Sequence, residues 1–236
     1  MNVKPQRRTP EHTYKDYTKY KRWLREDFSY RCAYCFIHEN DHGGHWHFQV
    51  DHYRPKSKSE FKHLETEYSN LLYSCDHCNN LKWDIWPSDT PLIDGVGWLD
   101  PCEHDLSEHY YYGYCEREFT IVCVTKVGCW MVKTLALDQP ARIRRRRDLA
   151  EEERVDRELV ELFRGILEEW TQEYNLHPTD EKSTAIAKMR RLLLAKEEQI
   201  SNRYTPAPFE PLRRRSNSAE AQRQETTKRY QSALMN

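Results

Sequence analysis

The chain has 236 residues, of which 38% are hydrophobic and 32% charged, and its net charge at pH 7 is −1. This composition is typical of a globular protein, and the near-zero charge excludes attraction of nucleic acid by the whole surface, so a nucleic-acid-binding surface must be local. The sequence shows neither an apolar leader nor an apolar run long enough to span a bilayer, so we expect a cytoplasmic protein without membrane contact.

Residues 1–29 are predicted to form a polar arm followed by one helix. The first 13 residues are polar and include two prolines, which disfavours regular structure. From Tyr14 to Phe28, apolar residues recur at the spacing of an amphipathic helix. These residues are Tyr17, Tyr20, Trp23, Leu24 and Phe28.

Two CxxC pairs stand out among the eight cysteines. They are Cys32-Ala33-Tyr34-Cys35 and Cys75-Asp76-His77-Cys78, with 39 residues (36–74) between them. In a reducing compartment, two such pairs favour metal over disulfides and supply the four thiolates of a tetrahedral zinc site. Such a closed site leaves no position for a reacting water, so we expect these cysteines to hold a structural Zn²⁺. Four buried cysteines without metal, or a redox-active pair, are the alternatives.

The segment between the two pairs combines a predicted strand with polar residues. His47 to Asp51 alternates in a pattern typical of a strand, and His52 follows directly. Asn70 lies in the stretch that leads into the second pair. Asn79 and Lys82 come directly after that pair, three positions apart, which predicts that they share one face of a helical turn.

This ordered pattern resembles the HNH endonuclease family over roughly residues 30–85. The matching pieces are Val50-Asp51-His52-Tyr53-Arg54-Pro55, Asn70-Leu71, and the run from Cys75 to Lys82. The last catalytic position holds Asn79 rather than His, a variant that the family accepts. The resemblance implies a ββα-metal fold, phosphodiester hydrolysis and a single catalytic metal ion.

The residue types agree with the roles that this resemblance implies. His52 suits a general base, because imidazole titrates near neutral pH, and the Asn70 amide is expected to orient it by one hydrogen bond. Asp51 and Asn79 offer oxygen ligands that suit a hydrated Mg²⁺ or Mn²⁺. Such an ion would stabilise the transition state and the departing oxygen.

Three basic residues near the motif are candidates for phosphate binding: Lys82, Arg54 and Lys56. The alternative for each of them is an ordinary solvated surface charge. Asn70 could instead be a turn residue, and Asn80 could replace Asn79 as the metal ligand.

The rest of the chain is predicted to hold a β appendage and a helical hairpin. Residues 109–133 contain three apolar runs separated by glycines, which is typical of an antiparallel meander. Asp138-Gln139-Pro140 predicts a helix start, with Asp138 as the capping side chain and Pro140 in the first turn. This helix is expected to run to about Tyr174, and a second helix from about Thr179 to Arg203. We therefore divide the chain into 1–29, 30–137, 138–204 and 205–236, the last being a flexible Pro/Arg-rich tail. No role is assigned to Arg144–Arg147 or to Cys102, Cys115, Cys123 and Cys129.

The sequence as a whole predicts an α+β protein, in which a ββα-metal nuclease core on a four-cysteine zinc knuckle carries a small β appendage and a C-terminal helical hairpin. The main functional hypothesis is a Mg²⁺-dependent DNA endonuclease. The alternatives are an RNA-directed nuclease and a zinc-stabilised adaptor that binds nucleic acid or protein without catalysis. The layout also resembles bacterial HNH proteins of antiphage-defence loci, several of which work with an ATPase or sensor subunit.

Overall fold

The computed structural model describes residues 4–115 and 118–204. The tail predicted to be flexible, residues 205–236, lies outside the described residues. The strands form small two-stranded sheets, and two long helices form a C-terminal pair. The predicted α+β class is therefore confirmed. Among the described residues, none of the helices combines the length and the apolar character needed to cross a bilayer.

Helix α1 (Lys21–Asp27) follows a 3₁₀ turn at Tyr17–Tyr20. Regular structure begins later than the predicted Tyr14, because the Asp16 carboxylate accepts a hydrogen bond from the backbone N–H of Thr18 and caps the turn there. The apolar face of this segment packs into the main hydrophobic core through the buried side chains of Tyr20, Leu24 and Phe28.

Two strands and a helix form the central ββα unit. Strand β1 (Phe48–His52) pairs antiparallel with β2 (Leu71–Cys75), with His52 opposite Leu71. All residues of β2 are buried, and the strand continues directly into helix α2 (Asp76–Lys82). The unit therefore brings the end of β1 beside the first turns of α2.

A second hairpin, of β3 (Tyr110–Cys115) and β4 (Glu118–Cys123), forms the β appendage. The prediction of a third strand in this region is wrong. The third apolar run lies in helix α4 (Lys126–Thr134), which packs against β4 and shares the core of the ββα unit.

Local contacts explain why this third run is helical. The Thr125 side chain accepts a hydrogen bond from the backbone N–H of Gly128, which caps the helix. Val127 and Met131 lie four residues apart, so both are buried on one helical face. A Cβ at Gly128 would lie 2.1 Å from the carbonyl oxygen of His109, so glycine permits the close approach of the helix rather than ending a strand.

Helices α5 (Pro140–Leu176) and α6 (Asp180–Arg203) form the predicted antiparallel hairpin. Asp156 pairs with Lys196 at 2.5 Å and with Arg203 at 3.3 Å across the two helices. The predicted cap by Asp138 is wrong, because its carboxylate pairs with a lysine of α4 and Gln139 holds the N-cap position. The remaining regular elements are the short helix α3 (Pro91–Asp94) and 3₁₀ turns at Glu39–His42, His45–His47, Ser59–Leu64, Tyr68–Asn70 and Leu106–Glu108.

Candidate active site

The four cysteines of the CxxC pairs converge in the interior. Their sulfur atoms all lie within 4.8 Å of one another. One pair lies in the tight turn before β1, and the other spans the end of β2 and the first turn of α2. All four side chains are buried, and the chemistry of four thiols at this separation fits a tetrahedral metal site. These cysteines are positioned to hold a metal ion, and no other His, Cys, Asp or Glu group in residues 4–115 and 118–204 is gathered in this way.

Two arginines of α5 attach the helical hairpin to this cluster. A guanidinium nitrogen of Arg142 lies 3.3 Å from Sγ of Cys78, and Arg146 donates to the backbone carbonyl of Cys35. They are four residues apart and therefore lie on the same helical face. The sequence did not single out Arg142, since only the tertiary structure brings position 142 beside the cysteines. The positive charges of Arg142 and Arg146 balance the negative charge that thiolates carry when they bind a metal.

A cavity of about 400 Å³ opens between the end of β1 and helix α2. Its wall includes four of the residues that the motif predicts for the site: Asp51, His52, Lys56 and Asn79. Asn70, Arg54 and Lys82 do not line this cavity. The structure thus brings part of the predicted set together and places the rest elsewhere.

His52 is held by a backbone carbonyl. Its Nε2 lies 2.9 Å from the carbonyl oxygen of Glu65, and the ring packs edge-on against Tyr17 at 4.6 Å. Burial lowers the pKa of His52, so the imidazole is neutral at physiological pH. Because Nε2 must donate to a carbonyl, the proton of the neutral ring is on Nε2, and Nδ1 retains the lone pair of a base.

The predicted hydrogen bond between the Asn70 amide and the imidazole of His52 is absent, because the amide bonds the backbone instead. Its Oδ1 accepts from the backbone N–H of Arg54 at 2.8 Å, while Nδ2 donates to the carbonyls of Arg54 and Leu64. The register explains this, because Asn70 pairs beyond His52, next to the loop that follows β1. Asn70 therefore links Arg54, which follows β1, to Leu64. The residue after Leu64 is Glu65, whose carbonyl orients His52.

Lys82 is the second departure from prediction. It has no exposed surface, and its ammonium donates to the carbonyl of His52 at 2.6 Å and to Asp51 Oδ1 at 3.3 Å. Lys82 lies one turn after the buried Cys78 and shares that inward face, whereas Asn79 faces the cavity. The prediction that Lys82 and Asn79 share one helical face is therefore wrong, and the ammonium of Lys82, a candidate for phosphate binding, is occupied inside the protein.

Asp51 lies between this lysine and the cavity. Its Oδ2 accepts a hydrogen bond from the Tyr34 hydroxyl at 2.5 Å, and its Oδ1 accepts from Lys82. A carboxylate has about four acceptor positions, so each oxygen retains a free lone pair. Tyr34 and Lys82 therefore fix the orientation of Asp51 without using its whole capacity to bind a cation.

Replacing Lys82 with methionine is expected to lower the free energy of unfolding by about 3 kcal/mol, because it removes one partner of a buried ion pair. The measurement is urea denaturation followed by circular dichroism. The matched control is Lys133→Met, since Lys133 also pairs with an aspartate but is 75% exposed. The control should change stability by less than about 1 kcal/mol. Equal effects of both substitutions would contradict a structural role for the buried ammonium.

Asn79 is oriented by a glutamine that the motif does not include. Its Nδ2 donates to Oε1 of Gln49, which leaves the Asn79 amide oxygen free. Gln49 lies two residues before Asp51 on the same strand, so both side chains project from one face and line the cavity. This period-two relation is the sequence signal that could have identified Gln49.

The two remaining basic candidates differ in position. The Lys56 ammonium reaches the cavity rim, where it donates to the Tyr17 hydroxyl at 3.0 Å and to a Glu65 carboxylate oxygen at 3.1 Å. The Arg54 side chain is exposed outside the cavity and packs over the rings of Phe61 and Trp86. Only Lys56 therefore lies close to the candidate catalytic groups.

Comparison with known families supports the motif-based resemblance. Residues 32–84 match the family model described as HNH endonuclease. Searches among curated proteins and among solved structures find no significant match to the chain. The matched range contains both cysteine pairs, strands β1 and β2, helix α2 and the cavity residues from Gln49 to Asp84. The chain therefore contains an HNH endonuclease domain at residues 32–84.

Proposed function

We propose that the protein is a metal-dependent endonuclease that hydrolyses phosphodiester bonds of DNA, with His52 as the general base and Asp51 and Asn79 as ligands of Mg²⁺ or Mn²⁺. One observation carries this proposal. The cavity of the HNH domain gathers an imidazole with a free Nδ1, a carboxylate and an amide oxygen without a hydrogen-bond partner in the described residues. Together these are the groups that hydrolysis requires.

In the proposed reaction, Nδ1 of His52 accepts a proton from a water molecule as the water oxygen attacks phosphorus. The P–O bond to the 3′ oxygen breaks, and that oxygen leaves with the bonding electron pair. The Glu65 carbonyl keeps Nε2–H in place and stabilises the positive charge that the ring acquires. Lys82 contributes by donating to the backbone carbonyl of His52, which fixes the end of β1 and with it the position of the base.

The residues of the cavity fit a hard divalent cation. Asp51 and the Asn79 oxygen are the ligand types that Mg²⁺ and Mn²⁺ prefer, and the open cavity leaves room for water and phosphate oxygens. When bound, such an ion supplies charge stabilisation to the phosphate and the departing oxygen. For the buried cluster of Cys32, Cys35, Cys75 and Cys78, we propose Zn²⁺ in a purely structural role.

Lys56 is proposed to bind a phosphate at the cavity rim, since its ammonium already lies beside the cavity. Arg54 is proposed to contact the nucleic-acid backbone farther from the break, because it is exposed outside the cavity. Lys82 is left out of this set, since it has no exposed surface.

The proposal is tested by cleavage of a plasmid and of an RNA of the same sequence, with added Mg²⁺ or Mn²⁺ and without divalent metal. We expect DNA cleavage only with added metal.

Asn79→Ala should require at least tenfold more metal, because losing even an outer partner of a metal site weakens binding by about 10–100-fold. Asn80→Ala, which removes the neighbouring amide, should leave the metal requirement unchanged. If Asn80→Ala raises this requirement and Asn79→Ala does not, Asn80 is the ligand. In the comparison of plasmid and RNA, preferred cleavage of RNA would make RNA the substrate. Tight binding of nucleic acid without cleavage would favour the non-catalytic adaptor.

We further propose a role as the nuclease subunit of an antiphage-defence complex with an ATPase or sensor partner. The proposal rests on the layout of the chain. The helical hairpin offers a surface outside the HNH domain, on which Leu162, Leu176 and Leu194 are more than half exposed. Protection of cells against phage, lost on His52→Ala substitution, would support this role. Unchanged plaque numbers with the intact gene neighbourhood would refute it.

A further inference from the structure

We propose that Trp83 stacks on an unstacked nucleobase beside the scissile phosphate, so that the substrate is single-stranded or unpaired at the cleavage point. This inference rests on the proposed nuclease function and deepens it, because it names the form of the nucleic acid. Three observations carry it: the position of Trp83, the absence of an intramolecular partner for its ring, and the conformation of its backbone.

Trp83 lies on the wall of the same cavity as His52 and Asn79. Its side chain is 72% exposed, which is the highest value among the seven tryptophans, compared with 44% for Trp46 and 38% for Trp170. A large indole is therefore presented to solvent at the edge of the candidate catalytic centre.

The Trp83 ring has no partner in the part of the chain that the structure describes. Neither a ring nor a cation packs on it there, and its Nε1 makes no hydrogen bond to a described residue. Two neighbouring tryptophans differ, since Nε1 of Trp98 donates to the Ile85 carbonyl at 2.6 Å and that of Trp86 donates to Asp89 at 2.9 Å. The Trp83 indole therefore has stacking capacity that no ring or cation of the described residues uses.

The backbone of Trp83 is in a conformation that favours glycine. Its φ is 47° and its ψ is −128°, and a hydrogen bond from the N–H of Ile85 to the carbonyl of Lys82, 3.1 Å long, closes the turn around it. These angles match the first central position of a type II′ turn, which glycine dominates. A tryptophan here strains the backbone while remaining 72% exposed, and strain of this kind is characteristic of functional sites.

The chemistry of the site identifies a nucleobase as the ligand. An exposed indole stacks on any base through its π face, without a requirement for a particular sequence. Inside an intact duplex both faces of each base are covered by neighbours, so only an unpaired, terminal or extruded base can meet the ring. Lys56 lies on the same cavity wall and offers a cation for the adjoining phosphate.

The experiment measures affinity for oligonucleotides in the His52→Ala background, in which cleavage does not interfere. A single abasic residue is moved along a single strand, and binding is compared between proteins with Trp83 and with Trp83→Gly. With Trp83, we expect an abasic residue at one position to weaken binding about 5- to 100-fold, the range for one stacked base. With Trp83→Gly, the abasic scan should be flat, while Trp83→Phe should retain part of the position dependence. An intact duplex should bind more weakly than the single strand only when Trp83 is present.

Two controls separate stacking from folding. The melting temperature of Trp83→Gly should equal or exceed that of its parent, because glycine relieves the strained turn. Trp170→Ala, at an exposed tryptophan of the helical hairpin, should leave binding and the abasic scan unchanged. A flat scan with Trp83, or the same position dependence in Trp83→Gly, overturns the stacking inference while His52-dependent cleavage stands. A parent protein that neither binds nor cuts nucleic acid overturns the proposed function, and the inference with it.

Discussion

Replacing His52 with alanine is expected to lower the rate of phosphodiester cleavage by about 10²–10⁴-fold, the usual contribution of a positioned general base. The physical reason lies in the environment of the ring. Burial keeps the imidazole neutral and the Glu65 carbonyl holds its proton on Nε2, so Nδ1 is the atom prepared to accept a proton from water. The measurement is the single-turnover rate at saturating concentrations of protein and Mn²⁺, with the protein in excess over a labelled substrate. Under these conditions a change in substrate affinity does not contribute.

The matched control for this prediction is His63→Ala. His63 is an exposed histidine of the 3₁₀ turn at Ser59–Leu64, in the same connection between β1 and β2, and it lies outside the cavity wall. It should keep the rate of the unmodified protein, and both variants should melt at similar temperatures. A His52→Ala protein that cuts at an undiminished rate would remove the catalytic base from the proposal.

Replacing Cys78 with serine is expected to abolish stoichiometric zinc binding and cooperative folding of the HNH domain. A structural zinc contributes an apparent 10–16 kcal/mol, roughly, in small zinc domains, whereas whole domains are stable by only about 5–15 kcal/mol. The loss extends beyond one ligand, because Arg142 then lies beside the cluster without its sulfur partner. Zinc content by elemental analysis and a thermal melt followed by circular dichroism provide the measurement.

Cys123→Ser is the control for the zinc prediction, since Cys123 is an exposed cysteine of β4 outside the cluster. It should bind zinc and melt like the unmodified protein. A Cys78→Ser protein that retained one equivalent of zinc and a sharp melt would show that the four cysteines are not a metal site. The Cys78→Ser variant also tests the link between the cysteine cluster and the cavity, because Cys78 and Asn79 are adjacent in α2. Loss of the cluster should therefore abolish cleavage even though the cluster does not touch the cavity.

Short-range patterns account for the part of the site that could be predicted. Each CxxC pair brings two thiols to one ion from a single turn, and the alternating run that starts at His47 places Asp51-His52 at the end of a strand. These relations depend on a few neighbouring residues. The cysteine cluster, the ββα unit and the shared cavity of Asp51, His52 and Asn79 were therefore accessible from the sequence.

The predictions that were wrong depended on which face of an element meets its neighbours. A spacing of three residues between Asn79 and Lys82 is compatible with a common exposed face. The position of Lys82 one turn after the buried Cys78 turns it inward instead. Similarly, the apolar run around Met131 is short enough to suit a strand or a helix. The close approach of Gly128 to His109 is visible only once β3 is in place.

Residue type and local spacing suffice to predict the α+β class, the four cysteines positioned to hold a metal ion, the HNH motif and the helical hairpin. Three further features emerge only from the packing of the folded chain: the Glu65 carbonyl orients His52, Lys82 is buried against Asp51, and two arginines of α5 hold the hairpin on the cysteine cluster. These contacts join residues far apart in the chain. Their geometry is set by how strands, helix and loops pack together, which local spacing does not specify.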